Sequence, residues 1–214
     1  MTIVLAFGDS ITQGYWDFSG GWVQKLKSYL DKRSLDSGLK EYYSVYNLGV
    51  DGDSSRDLVG RIAYEIKHRI KLAEKSEKII ILVAIGSNDS AYDKKMNNSV
   101  PLDEFKKNVR KIADIGIKYG EVVFIGSPPV DESFSNPLPW LKEFSMENNQ
   151  IIKYDDVLRE ICLEKGLEFI DIYKYFIEVD YPKLFQDGVH PNIEGHELMF
   201  KNIMDAIKSK IIEQ

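Results

Sequence analysis

Five short apolar runs, each followed by a stretch of helical period, constrain the fold of this chain more than any other feature. The runs lie at 3–7, 43–48, 78–85, 122–125 and 168–172. Most are β-branched and apolar at both odd and even positions, as expected of strands covered on both faces. Between them the apolar spacing lengthens. Trp22, Val23, Leu26 and Leu30 share one side of a stretch at 21–30, Ile62, Ile66 and Ile70 one at 58–72, and Val109, Ile112 and Ile115 one at 105–117. Stretches at 151–163 and 198–212 complete the set. Strand–helix alternation of this kind predicts a parallel sheet with right-handed crossovers and helices on both faces. The expected class is α/β: a three-layer α/β/α sandwich, flavodoxin-like, with five parallel strands in the order 2-1-3-4-5.

Composition narrows what such a sandwich does. The 214 residues suit one domain, 1–214, able to bury a core without disulfides or a structural metal. A net charge of −6, with the acidic residues scattered, makes nucleic acid an unexpected partner. No apolar run approaches the roughly 20 residues of a membrane span. The first basic residue is Lys25 and no cleavage pattern follows the first apolar run, so a cytoplasmic location is expected. Oligomeric state is left open, a homo-oligomer included. The single Cys162 lies in helical register with Leu158 and Ile161 and reads as a buried structural thiol.

Sites in open parallel sheets form beyond the carboxyl ends of the strands, where the strand order reverses. The strand ends here read "GDSITQG", "GVDGDSS", "GSNDS", "GSPPV" and, after a connector, "DGVHPN". Taken alone, Gly-Asp-Ser at Ser10 is ordinary turn or cap chemistry. Asp187 and His190 change its weight. A hydroxyl needs an imidazole to take its proton, and the imidazole needs a partner that sets its tautomer; a carboxylate three residues away in one tight turn can be that partner. Gly52, in a turn open to close approach, and the Asn88 side chain are candidate donors to a developing oxyanion, together with the Ser10 N–H. His68 sits among lysines and arginines and reads as solvated; His196, early in the last helix, reads as packing or as a supporting hydrogen bond.

The segment 127–144 breaks the rhythm and holds four of the seven prolines. Tyr15, Trp16, Phe18 and Trp22 follow Ser10 closely, and Phe134, Leu138 and Trp140 lie in the long segment. Tyr15, Trp16, Trp140 and Val189 are therefore the expected pocket residues, with Trp22 and Trp140 equally suited to the core.

These blocks resemble the SGNH hydrolases, the GDSL-type esterases and lipases named for a Ser, Gly, Asn and His in four sequence blocks. "FGDSITQG" supplies Ser10, "NLGVDGDSS" Gly52, "IGSNDS" Asn88, and "DGVHPN" Asp187 and His190, in order across nearly the whole chain. Ile11 stands where the family's name has Leu. Gly49 and Gly52 both suit the second block; the family's spacing from Asn47 selects Gly52. The resemblance implies a serine hydrolase in which Ser10 attacks an ester carbonyl, His190 relays the proton and Asp187 orients it. Ser10 N–H, Gly52 N–H and Asn88 would hold the oxyanion, with no metal or organic cofactor. The absence of Gly-x-Ser-x-Gly separates the chain from the α/β-hydrolase family. Expected substrates are small-molecule esters of short acyl groups, acetylated sugars among them. Acyl thioesters and lysophospholipids are the alternatives within the family. Outside it stand a phosphate- or nucleotide-binding module built on the turn at Ser10, and a metal-dependent hydrolase using Asp9, Asp187 and His190.

Overall fold

The computed structural model describes residues 1–74 and 76–212; Lys75, Glu213 and Gln214 lie outside the described residues. In chain order the elements begin β1 (Thr2–Gly8), α1 (Ser10–Gln13), α2 (Gly21–Asp36), β2 (Tyr43–Gly49), α3 (Ser55–Arg69), β3 (Lys78–Ala84), α4 (Ser87–Ser90) and β4 (Tyr92–Asp93). They continue with α5 (Leu102–Gly116), β5 (Glu121–Ile125), α6 (Glu132–Ser135), β6 (Phe144–Ser145), α7 (Asn148–Lys165), β7 (Glu168–Ile170), α8 (Ile172–Ile177), a 3-10 turn (Tyr181–Leu184) and α9 (Ile193–Ile211).

The main sheet is parallel and runs β2-β1-β3-β5-β7. Counting only strands of this sheet, the order is the expected 2-1-3-4-5. The chain-order numbers differ because β4 and β6, two residues each, pair with one another in a separate antiparallel ribbon. Strands that short carry no readable period. The fifth apolar run also ends earlier than expected, at Ile170, because the Asp171 carboxylate accepts from Lys174 N–H and opens α8.

Alternation along the central strands fills two cores. Val4 and Ala6 of β1, Ile80 and Leu82 of β3 and Val123 and Ile125 of β5 pack with Trp22, Leu26 and Leu30 of α2 and Met199, Ile203 and Ile207 of α9. Ile3, Leu5, Phe7, Ile81, Val83 and Phe124 turn the other way, onto Ile62 and Ile66 of α3, Phe105 and Ile112 of α5 and Leu158 and Ile161 of α7. Trp22 is completely buried and belongs to the first core rather than to a pocket. Cys162 is buried in the second, and burial pushes its thiol up to about 12, which keeps it protonated and inert. No helix among the described residues is long and apolar enough to cross a membrane.

One buried acid gives the fold a pH dependence. Asp155 of α7 is buried at the end of β5, where one carboxyl oxygen accepts from Ser127 N–H at 3.1 Å and the other has no partner among the described residues. Burial pushes its pKa up to about 8. The folded chain therefore keeps a proton that the unfolded chain releases near pH ~4. The stability linked to that proton is fully present below pH ~4 and is lost as the pH rises through about 8. Asp155→Asn, an uncharged isostere, removes this dependence. Urea midpoints at pH 5 and pH 9 should show the variant more stable than the parent at pH 9, by on the order of a few kcal/mol, with the gap closed or reversed at pH 5. Parallel pH curves for the two proteins would rule the account out.

Candidate active site

β1 has β2 on one side and β3 on the other, so the strand order reverses at its carboxyl end. That is the crevice in which a parallel sheet leaves room for a ligand. Ser10 stands there as the first residue of α1. The helix is capped by its neighbour: the Asp9 carboxylate accepts from Ile11 N–H at 3.0 Å, which leaves the Ser10 hydroxyl free for another partner. Asn47 of β2 holds α1 in place, its side-chain amide donating to Thr12 O at 2.9 Å. Burial raises the Asp9 carboxyl to about 6 against the favourable pull of Ile11 N–H.

The partner of Ser10 is His190, whose Nε2 lies 2.9 Å from Oγ. On the other side of the ring, Nδ1 lies 2.7 Å from Asp187 Oδ2. A carboxylate only accepts, so Nδ1 carries the proton and Nε2 accepts from the serine hydroxyl. Burial opposes ionisation of Asp187, but hydrogen bonds from the His190 ring, His190 N–H and Val189 N–H outweigh it and lower the pKa to about 2. The two backbone bonds, at 2.8 and 3.0 Å to Oδ1, close the tight turn expected from "DGVHPN". Gly188 makes that turn with φ +87°, and a Cβ there would meet Phe134 Cβ at 2.6 Å, so only glycine fits. Beyond it Asn192 caps α9, accepting from Glu194 and Gly195 N–H.

Gly52 and Asn88 both face the same crevice. Gly49 and Gly52 differ in their N–H groups. Gly49 N–H donates to Asn47 Oδ1 at 3.0 Å, whereas Gly52 N–H has no partner among the described residues. Asn88 donates one amide hydrogen to Asp53 O at 3.0 Å, which orients the second. Two supports of this loop carry no sequence signal. Arg61 ties Asp53 Oδ2, at 2.6 Å, to Gly8 O, at 3.1 Å, and so fixes the Gly52 loop against the end of β1. Asp89, fully buried, accepts from Ser55 N–H with both oxygens at 3.0 Å.

Above these groups opens a cavity of about 450 Å³. The loop after β2 and the start of α3 line it with Asp51, Ser54, Arg56 and Asp57, and the segment after β4 with Ser99; the stretch through β6 adds Leu138, Trp140, Leu141, Phe144 and Met146. Val189 and Trp140 line it, the Trp140 ring centroid lying 5.5 Å from that of His190. Tyr15 and Trp16, expected in the wall, lie outside the cavity lining. Tyr15 flanks His190 with ring centroids 5.5 Å apart, and Trp16 turns its indole N–H to Asp187 Oδ2 at 2.7 Å. Closeness in sequence to Ser10 brings both rings near the site, but the turn after α1 sends them to the side of the Asp–His pair. His68 is exposed. His196 is fully buried, with Trp22 N–H donating to Nδ1 at 3.4 Å and Nε2 donating to Tyr15 O at 3.2 Å. Burial lowers its pKa to about 4, so it is a neutral tie between α9, α2 and the segment after α1.

The two readings outside the family lose their groups to these contacts. Asp9 is turned to Ile11 N–H, and each Asp187 oxygen already accepts twice. Among the described residues no cluster of three His, Cys, Asp or Glu could hold a metal ion. One donor at the start of α1, Ile11 N–H, is taken by the Asp9 carboxylate, itself a poor neighbour for an anion such as phosphate.

A three-layer sandwich with a hydroxyl, an imidazole and a carboxylate in line at the switch point has the parts of a serine hydrolase. A family model described as GDSL-like Lipase/Acylhydrolase matches residues 4–203. The chain is 30% identical to "GDSL esterase/lipase CPRD49" of Arabidopsis thaliana, over 96% of this chain and 78% of that protein. It is 24% identical to "Isoamyl acetate-hydrolyzing esterase 1 homolog" of Mus musculus, over 97% and 82%. Its fold superposes on the crystal structure of the lipase/acylhydrolase from Enterococcus faecalis with a TM-score of 0.71 at 27% identity, covering 100% of this chain and 99% of that one. The chain belongs to the GDSL-like Lipase/Acylhydrolase family.

Proposed function

We propose that the protein, acting as one domain over residues 1–214, is a serine esterase for carboxylic esters of small or short-chain acyl groups, acetylated carbohydrate among them. The observation that carries this reading is the unbroken line Ser10 Oγ, His190 Nε2, His190 Nδ1, Asp187 Oδ2, with steps of 2.9 and 2.7 Å, at the floor of the cavity. In it Ser10 attacks the carbonyl carbon as His190 takes its proton, and the oxyanion meets the N–H groups of Ser10 and Gly52 and the free Asn88 amide hydrogen. His190 then protonates the departing alcohol, leaving an acyl-enzyme on Ser10 that water resolves by the same steps in reverse.

The cavity argues for the substrate. At about 450 Å³ it lies toward the lower end of small-molecule sites, ~300–1,000 Å³, and leaves little room for a long acyl chain beside its alcohol. The alcohol departs next to His190 Nε2, where the Trp140 ring offers a flat face. Asp51, Ser54, Asp57 and Ser99 line the polar wall and suit hydroxyls. The name of the Mus musculus relative, an acetate-ester hydrolase, agrees with a small acyl group.

A p-nitrophenyl ester series from acetate to palmitate, run beside acetylated sugars and acyl-CoA, tests this reading. The expected result is a fall in kcat/KM of at least about 10²-fold from the short to the long end, with a fluorophosphonate probe losing fluoride and leaving the mass of its phosphonyl group on Ser10. A preference for palmitate would sink the substrate class, and faster acyl-CoA cleavage would transfer it to thioesters. No label on Ser10 would sink the mechanism.

A further inference from the structure

We propose that Trp16 is a positioning residue for the reaction: its indole N–H holds the Asp187 carboxylate in its hydrogen bond to His190. The proposal rests on the reading of Ser10, His190 and Asp187 given above. Asp187 has four donors on its two oxygens. Val189 N–H and His190 N–H sit on Oδ1, and His190 Nδ1 and Trp16 Nε1, both at 2.7 Å, sit on Oδ2. The first three belong to the turn that carries Asp187 and travel with it. Trp16 is the one donor, among the described residues, that reaches this carboxylate from elsewhere, and it comes from the segment six residues after Ser10. Ser10 and the acid that orients its base are thereby referenced to the same piece of chain.

The backbone at Trp16 supplies an independent observation. Its φ is +64°, a conformation that bulky L-residues avoid. Such strain persists only where the surroundings over-determine it. Here they do, on both sides. Tyr15 N–H donates to Ser10 O at 3.1 Å, and Tyr15 O accepts from buried His196 at 3.2 Å. Asp17 is buried, accepts from Ser19 N–H at 2.8 Å and lies 3.3 Å from Lys25 Nζ. The indole is nearly half exposed, so packing alone does not explain a strained tryptophan at this place. With this backbone its N–H reaches Asp187 Oδ2.

Trp16→Phe keeps the ring and deletes the donor. With p-nitrophenyl acetate the expected result is a kcat about 5- to 20-fold lower at unchanged KM, with a melting temperature lower by only a few degrees, the loss of one hydrogen bond to a charged group. The same substitution in an Asp187→Asn background should add almost nothing, because the group it positions is already gone. A kcat equal to that of the parent, or the same fold-loss in both backgrounds, overturns the proposal. Ser10→Ala measured alongside separates the two levels. Retained activity there overturns the underlying mechanism, whereas an inactive Ser10→Ala beside a fully active Trp16→Phe overturns the role of Trp16 alone.

Discussion

Ser10→Ala should lower turnover of p-nitrophenyl acetate by roughly 10⁴- to 10⁶-fold while leaving the melting temperature where it is. Both halves follow from the surroundings of one side chain. The Ser10 hydroxyl is bonded to His190 Nε2 and caps nothing, since the cap of α1 is Asp9. Removing it deletes the attacking atom and leaves α1 anchored by Asp9 and Asn47. The replacement also leaves His190 hydrogen-bonded to Asp187, so the base stays in place with nothing to deprotonate. His190→Ala should cost a comparable factor. The double variant should be little worse than either single one, because nucleophile and base act as a unit. Steady-state kinetics with thermal melts of the three variants decide the matter. A Ser10→Ala protein that still turns over substrate at the parent rate would end the mechanism whatever its stability.

Much of this arrangement is legible in the residues, and what is not has physical reasons. Ile3, Leu5 and Phe7 face one core while Val4 and Ala6 face the other, so a strand covered on both faces is apolar at every position and announces itself. The Asp187–His190 pair is readable for a related reason. Three residues and one glycine are enough to close a turn in which the carboxylate meets both the imidazole and the backbone of its own turn. Contacts between segments far apart in the chain are another matter. Arg61 on Asp53 and Gly8, and Asp89 on Ser55, depend on where loops land, and no spacing encodes that. Trp16 is the instructive error. An aromatic residue six positions after the candidate nucleophile suggests a pocket wall, but a positive φ turns the side chain away from the cavity and toward Asp187. A local backbone reversal of that kind, at a residue type that disfavours it, leaves no trace in composition or period. The ribbon of Tyr92 and Asp93 with Phe144 and Ser145 escapes notice for a simpler reason, since two residues cannot show an alternation.

Asn88→Ala is expected to lower kcat by about 10²- to 10³-fold with little change in KM, the usual cost of one oxyanion donor. The geometry sets this prediction apart from one about Gly52. Asn88 offers its donor through a side chain whose other amide hydrogen is held by Asp53 O at 3.0 Å, so truncation removes the donor outright. Gly52 offers a backbone N–H, which Gly52→Ala retains. A Cβ at that position meets nothing within 4 Å, and the variant bears only the strain of a φ of +74° in a residue with a side chain, roughly 1–2 kcal/mol. Gly52→Ala should therefore lose far less activity than Asn88→Ala, although the proposed mechanism gives both positions the same oxygen to hold. Because an oxyanion donor matters more to the tetrahedral state than to the bound ester, the Asn88→Ala loss must fall on kcat. Parallel kinetics of the two variants read out the distinction. If Asn88→Ala raises KM and spares kcat, Asn88 binds the ground state and the oxyanion assignment is wrong.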